Sequence, residues 1–444
     1  MRRVTFVVFG GTGDLVRERL ILEIASLIKN LKLSKDSLIV GVGRRDFNDT
    51  KYRDFLYKYI KNKIEKPLWK KLNIYYYKAN YVDKGSLKEL GSYLQKLEPQ
   101  TTNNRIYYIA TSYDFIYTIV NQLNKYRLSR HPTMFRRIVL EKPWGTSLGS
   151  AKKINDLVHE CFSEEQVYRI DHYMAKPMIK HLLGFRKMNP LFELTWNSSF
   201  IEQIIVFSDE RIGVGKRMNY YNKTGAIIDM IQNHLLQVAS VVLMDLPDNK
   251  QGQHEKKLGL IQKLVPGKQI VIGQYESYAK EANAIGISDT STETYAEVEL
   301  QCKNKRWAST RIYLRTGKML NKKQAKIEIL YRLPKPGEVL SHSNAPNKFI
   351  IDIQPIQGMS LEVNIQPPNE SQSKVCKVCK GTDYKVDTGE YADLLLDCIN
   401  GDRSLFLREN ELMELWRITE ELLEFKSQSK LKIYKDNSDG PDVL

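Results

Sequence analysis

Eight consecutive residues, Arg169-Ile170-Asp171-His172-Tyr173-Met174-Ala175-Lys176, gather an arginine, an aspartate, a histidine, a phenol and a lysine. His172, Tyr173 and Lys176 are donors of the kind that hold a dianionic phosphate, the lysine as a point charge and the other two fixing geometry. A second stretch, Gly10-Gly11-Thr12-Gly13-Asp14-Leu15, follows a short apolar run. Glycines where a strand turns into a helix let backbone N–H groups approach a pyrophosphate at the helix N-terminus. Position 16 is valine, so the spacing is not GxGxxG, and a glycine-rich turn alone is often only a tight turn; its placement is what points to a dinucleotide. The third feature is Gly43-Arg44-Arg45, at the end of the second apolar run. An NAD site puts an acidic residue there, whereas two cations suit a 2′-phosphate, which favours NADP.

These groups need a frame to hold them. Through residue 145, short apolar runs (Val4–Phe9, Ser37–Gly43, Arg105–Thr111, Arg137–Glu141) alternate with helical stretches such as Leu15–Lys29 and Ser86–Leu97. That alternation predicts an α/β domain of Rossmann type, a doubly wound parallel sheet covered on both faces. Beyond Asp171 the pattern becomes a run of strand candidates without regular helices between them: Glu202–Ser208, Ala296–Gln301, Arg311–Arg315, Lys326–Arg332, Phe349–Gln354 and Leu361–Ile365. This predicts an α+β domain with a large, mostly antiparallel sheet, closed by amphipathic helices at Glu390–Asn400 and Glu409–Lys426 and a polar tail. The domains are placed at 1–170 and 171–444. The polar stretch Pro367–Lys374 reads as a loop.

A chain of 444 residues, 42% of them hydrophobic, is long enough for two domains with a core each. No apolar run approaches the ~20 residues of a membrane helix, and the first strand runs into Gly10 without a leader-peptide cleavage region. The expectation is a cytoplasmic protein that begins near Met1 and has no membrane partner. Five scattered cysteines (Cys161, Cys302, Cys376, Cys379, Cys398) argue against a disulfide framework. Cys376 and Cys379 form the only CxxC, without the further ligands zinc needs, so they read as loop thiols and no metal is expected. The net charge of +16 comes from lysines spread along the chain, without an Arg-rich arm or nucleic-acid-binding motif, so nucleic acid is not expected as a partner.

The stretch Arg169–Lys176 resembles the RIDHYLGK signature of the glucose-6-phosphate dehydrogenase family, with Met174 and Ala175 as the two changes. The resemblance extends through the glycine turn, Glu141-Lys142-Pro143-Trp144-Gly145, Asp229-Met230-Ile231-Gln232-Asn233-His234, Arg315-Thr316-Gly317-Lys318, Tyr391-Ala392-Asp393-Leu394-Leu395 and Glu414-Leu415-Trp416-Arg417. It implies oxidation of glucose 6-phosphate to 6-phosphogluconolactone with hydride transfer to NADP, the first step of the oxidative pentose phosphate pathway, in a homodimer or homotetramer built through the sheet domain. It further implies that His234 takes the proton of the sugar C1 hydroxyl, paired with Asp171. A neutral imidazole with a carboxylate partner suits that step; alone, His234 would read as a satisfied histidine on a buried helix. By the same resemblance His172, Tyr173, Lys176 and Lys318 hold the 6-phosphate; Lys323 reads equally as a further cation near it or as a solvated lysine. Lys142, Glu210 and Asp229 hold the sugar hydroxyls, and Lys142 also reaches the nicotinamide. Gly10, Gly11, Thr12, Gly13, Asp14, Leu15 and Arg44 belong to the cofactor.

Several positions depart from the family pattern. Arg19 stands where lysine is common, Ser112-Tyr113 replaces a Pro-Pro, and Gly215 and Lys216 replace acidic residues. Pro177 replaces a glutamate and restricts Lys176 toward extended backbone. Two other readings are compatible with parts of the pattern. A sugar dehydrogenase of the glucose–fructose oxidoreductase type also resembles a dinucleotide domain with Glu-Lys-Pro followed by a sheet domain, but Arg-Ile-Asp-His-Tyr with Asn-His and Arg-Thr-Gly-Lys downstream separates them. A non-catalytic descendant is the other, and the retained His234, Asp171 and Lys142 argue against it.

Overall fold

A computed structural model describes residues 1–99, 103–250, 252–288, 290–333, 345–365, 368, 374–378 and 389–442. Its contacts divide the chain into two compact units, Met1–Ala175 with Val386–Glu409, and Lys176–Lys385 with Asn410–Leu444. Compared with a division at 170/171, the first unit therefore runs five residues further and takes back a late segment.

The first unit is built on β1 (Thr5–Phe9), β2 (Leu38–Gly43), β3 (Asn73–Lys78), β4 (Arg105–Ile109), β5 (Arg136–Leu140) and β6 (Val167–Arg169). They lie in the order β3-β2-β1-β4-β5-β6, every pair parallel. β1, β2 and β4 are buried at every position, which is why they read as continuous apolar runs rather than alternation. The strand order reverses at β1/β4, and open sheets of this kind bind ligands at that point, outside the carboxyl ends of the strands. The sequence reading finds four of these six strands. β3, Asn-Ile-Tyr-Tyr-Tyr-Lys, is a half-buried edge strand rich in tyrosine, and β6 has only three residues. The helix expected at Ser86–Leu97 starts at Leu90, because a run of tight turns comes first: Ser86 N–H donates to Asp83 O, Lys88 to Gly85 and Leu90 to Leu87.

The late helix Glu390–Asn400 adds Ala392, Leu394, Leu395 and Cys398 to the first unit's core, beside Ile21 and Ile24. Its end is fixed by Gly401 in the left-handed region (φ 83°) and by guanidinium groups on its last carbonyls, Arg137 on Cys398 O and Ile399 O and Arg2 on Ile399 O. Cations at this end complement the helix dipole.

The second unit's sheet comprises β7 (Ile201–Asp209), β8 (Leu264–Tyr275), β9 (Tyr295–Cys302), β10 (Arg311–Gly317), β11 (Gln324–Tyr331), β12 (Lys348–Gln354), β13 (Gly358–Ile365), β14 (Lys374–Lys377) and β15 (Leu431–Tyr434). Among the described residues the order is β14-β13-β12-β11-β7-β10-β9-β8-β15. It is antiparallel except where β10 pairs with β7 and β15 with β8. The expectation of strands without regular helices is corrected, since helices Pro177–Met188, Met218–Ala226, Leu236–Leu243 and Gln253–Ile261 precede or lie between them. β8 was missed because Pro266-Gly267 and a bulge before Ile270 break its alternation.

One membrane expectation also changes. The helical run Gly215–Leu243 is long and apolar enough to cross a membrane by length and composition, but its apolar window is wholly buried inside the protein, as in a core helix. The polar tail is tied down: Asn321 N–H donates to Ser438 O and Ser438 bridges to Leu320. Cys376 lies on β14, opposite Val363, rather than in a loop. Cys379 and most of the expected loop Pro367–Lys374 lie outside the described residues.

Candidate active site

The glycine turn of the first unit is shaped by close backbone approach. Gly10 has φ +82°, and a Cβ there would stand 2.5 Å from Ala110 O, so no other residue fits without displacement. Gly10 N–H donates to the Tyr81 hydroxyl at 2.7 Å, and that hydroxyl donates to Val42 O at 2.5 Å. Tyr52 OH donates to Gly11 O at 2.7 Å. Two buried phenols from distant segments thus hold the turn against β2. The helix that follows opens with a wide turn, Val16–Leu20, closed by a five-residue hydrogen bond from Ile21 N–H to Val16 O. Such π-type turns recur at functional sites. Arg44 is exposed just beyond β2, and the Arg45 guanidinium stacks 5.0 Å above the Phe55 ring.

Lys142 and Asp171 belong to the same unit as the glycine turn. Between them in charge terms is Glu141, whose carboxyl is pushed up to about 7 from its ordinary 4.5. Burial is the main cause and Asp171 adds to it, while the Tyr108 hydroxyl and Lys142 oppose. Asp171 Oδ1 accepts the Tyr173 N–H at 2.9 Å, closing a turn that presents His172 and Tyr173 with ring centres 5.1 Å apart. Arg169 serves the fold: buried, it donates to Glu164, Asn155 and Leu407 O. Lys176 has φ −60° and ψ 131°, the extended backbone that Pro177 imposes, and Pro177 starts the helix Pro177–Met188.

In the second unit, Glu210 follows β7 and Lys318 follows the parallel neighbour β10, so the sheet register brings them together as an ion pair. The Lys318 ammonium also sits 5.2 Å over the Tyr221 ring. Its backbone is gripped on both sides, N–H to Thr294 O at 3.0 Å and O from Tyr434 OH at 2.6 Å. Met319 beside it holds φ +50°, a conformation that non-glycine residues keep only where surroundings enforce it. Asp229 is buried and accepts from Arg217 at 2.8 Å. Burial pushes the Tyr221 hydroxyl well above its usual value, and the charges of Asp229, Glu293, Tyr434 and Glu210 add to the shift.

Asp229 and His234 share the segment Ile227–Leu235, buried throughout, in which Leu236 N–H closes a five-residue hydrogen bond on Ile231 O. In a regular α-helix two positions five apart point about 140° away from each other. Widening to i→i+5 hydrogen bonds lowers the rotation per residue and narrows that angle. His234 itself is fully buried.

Of the residues singled out in the sequence, the first unit carries the glycine turn, Arg44, Lys142, Asp171, His172 and Tyr173; the second carries Lys176, Glu210, Asp229, His234, Lys318 and Lys323. Glu210 and Lys318 pair beside the Tyr221 ring, and Asp229 is held by Arg217. Lys323 lines a cleft of about 780 Å³ with Arg211, Lys322, Lys326 and Asp352. Sequence reasoning missed Tyr81, Tyr52, Arg217 and Tyr221 as site-building residues. The stretch from Arg217 to Tyr221 follows directly on Gly215 and Lys216, the pair that departs from the family pattern.

A Rossmann-type unit with a nucleotide turn, joined in one chain to a mostly antiparallel-sheet unit that carries a fully buried histidine and a paired glutamate and lysine, defines a pyridine-nucleotide oxidoreductase. Residues 7–181 match the NAD binding domain of glucose-6-phosphate dehydrogenase and residues 183–444 its C-terminal domain, so the chain belongs to the glucose-6-phosphate dehydrogenase family. Glucose-6-phosphate 1-dehydrogenase of Bacillus subtilis is 31% identical over 468 residues, 99% of this chain and 95% of that protein. A solved glucose-6-phosphate dehydrogenase in complex with its substrate glucose-6-phosphate superposes with a TM-score of 0.90 at 25% identity, covering 99% of this chain and 96% of that one. The Mycobacterium avium glucose-6-phosphate 1-dehydrogenase gives 0.85 at 27% identity, covering 99% and 96%.

Proposed function

We propose that this chain oxidises D-glucose 6-phosphate at C1 to 6-phosphogluconolactone, with NADP as the acceptor it prefers. The observation that carries the reading is the Glu210–Lys318 pair beside the Tyr221 ring, in the unit whose segment Ile227–Leu235 holds the buried Asp229 and His234. A buried imidazole is suited to accept a proton, and carboxylates with an ammonium are suited to hold sugar hydroxyls and phosphate oxygens.

The residues present fit a dinucleotide: Gly10 lets the turn pack directly against the backbone of Ala110 beyond β4, and the helix beyond it presents its N-terminal amides. Gly10 to Leu15 would hold the pyrophosphate, and the exposed Arg44, with Arg45 steadied on Phe55, would hold a 2′-phosphate. When bound, the nicotinamide accepts the hydride from C1. His234 accepts the C1 hydroxyl proton, with Asp171 assigned as the carboxylate that orients it. His172, Tyr173, Lys176 and Lys318 hold the 6-phosphate, with Lys323 as an outlying cation. Glu210, Asp229 and Lys142 hold the hydroxyls. Assembly as a homodimer or homotetramer and a cytoplasmic location belong to the same proposal; light scattering on purified protein tests the first.

The test of function is absorbance at 340 nm with glucose 6-phosphate or glucose against NADP or NAD. The reading expects strong reduction only with the phosphorylated sugar, faster with NADP. Equal turnover of plain glucose contradicts the substrate assignment, and faster turnover with NAD contradicts the role of Arg44.

A further inference from the structure

The segment that bears Asp229 and His234 is gripped at both ends by buried charge. At its start, Gly225 turns the chain with φ +64°, and a Cβ there would stand 2.2 Å from the Glu293 carboxylate. Glu293 is fully buried; its Oε1 accepts the Ile227 N–H at 3.1 Å, its backbone O accepts the Ala226 N–H at 3.1 Å, and its Oε2 pairs with the Lys426 ammonium. A carboxylate at this position also complements the positive end of the helix.

Just past its other end, Gln237 Nε2 donates to Asn233 O at 3.2 Å, on the residue next to His234. Gln237 Oε1 accepts from Lys257 Nζ at 3.3 Å, and Lys257 in turn pairs with Glu411 at 3.3 Å. Glu411 is fully buried and also meets His254 Nδ1 at 3.0 Å. Lys426 and Glu411 lie on the same helix, Glu409–Ser427.

We infer that Glu293 with Lys426, and Glu411 with Lys257 and Gln237, are positioning residues that hold the base-bearing segment in register for proton removal, both braces being anchored on the last long helix. This rests on His234 being the base. Buried ion pairs of this kind add little net stability, yet they specify one geometry, and removing one partner leaves the other uncompensated. Glu293 touches no reacting atom in this account; it acts through the backbone of Ile227.

The experiment uses the full-length enzyme with glucose 6-phosphate and NADP. Glu293→Gln keeps an oxygen to accept from Ile227 but breaks the ion pair, the Glu293→Gln/Lys426→Met double variant removes both charges, and Gln237→Leu severs the other brace. Each is expected to lower kcat about tenfold with KM for the sugar phosphate within about twofold, and to raise the isotope effect on kcat with sugar deuterated at C1, because a displaced base slows the hydride step. Glu293→Asp restores part of kcat. Should the variants fold with unchanged kcat and isotope effect, or lose activity only in proportion to unfolded protein, the inference is overturned. His234→Asn run alongside separates the two levels: full turnover there sinks the base assignment itself, whereas loss there with intact Glu293→Gln and Gln237→Leu sinks only the braces.

Discussion

The nucleotide turn of the first unit and the histidine-bearing segment of the second reach order by opposite means. The turn is held by steric necessity and neutral hydrogen bonds, with Gly10 against Ala110 O and the hydroxyls of Tyr81 and Tyr52 on Val42 O and Gly11 O. The segment is held by buried charge, Glu293 on the Ile227 amide and Asp229 on Arg217. A backbone that no other conformation fits tolerates the loss of a side-chain contact. A segment fixed by ion pairs shifts when one partner goes, because the uncompensated charge must find solvent. Substitutions in the first region should therefore change binding, and those in the second should change the chemical step.

The largest expected effect is at His234. His234→Asn should lower kcat by ~10²–10⁴-fold, the usual contribution of a positioned base, while nucleotide binding measured by fluorescence titration stays intact. Unchanged turnover would remove His234 from the mechanism. Arg44→Ser is next: loss of a charge-assisted contact worth about 1.5–3 kcal/mol should reduce the preference for NADP over NAD by roughly 10- to 100-fold in kcat/KM, with kcat little changed. An unaltered preference would leave Arg44 as a solvated surface residue. Gly10→Ala should cost about 1–3 kcal/mol in thermal unfolding through backbone strain, and weaken nucleotide binding with it. Tyr81→Phe removes only a hydroxyl and should cost about 1 kcal/mol, so a loss of activity beyond its loss of nucleotide affinity would contradict the division between the two regions.

A separate expectation, read in stability rather than in catalysis or binding, is a pH dependence at Glu141. Its carboxyl is raised in the folded state to about 7 from 4.5, mainly by burial. The folded protein thus holds this proton more tightly than the unfolded chain. The stability it contributes is complete below about pH 4.5 and is lost as pH rises to about 7. Melting temperatures of wild type and Glu141→Gln should therefore diverge over that window, the wild type falling relative to the variant as pH rises. Parallel curves would mean that Glu141 titrates as an ordinary carboxylate.

The parts that were legible in the sequence were local. The glycine turn, the apolar runs of β1, β2 and β4 and the helix Glu390–Asn400 declare themselves within a dozen residues, because burial on both sides of a strand or one side of a helix leaves a short periodic trace. The site residues of the second unit were legible only through family resemblance. What stayed hidden was long-range: Tyr81 reaches Gly10 across 71 positions, and Arg169 reaches Leu407 across 238. Nor does any composition signal announce that Ile227–Leu235 widens into five-residue hydrogen bonding, since that follows from packing on every side of a wholly buried segment. β8 and β15 were lost for similar reasons, one to a bulge and the other to its four-residue length.

In the proposed reaction a hydride leaves C1 of the phosphorylated sugar for the nicotinamide while this chain removes the hydroxyl proton. It is tested most directly by oxidising glucose 6-phosphate deuterated at C1 with NADP and following the label by mass spectrometry of the reduced nucleotide. The account predicts one deuterium per NADPH formed, with a slower rate than for unlabelled sugar; reduced nucleotide without deuterium would contradict it.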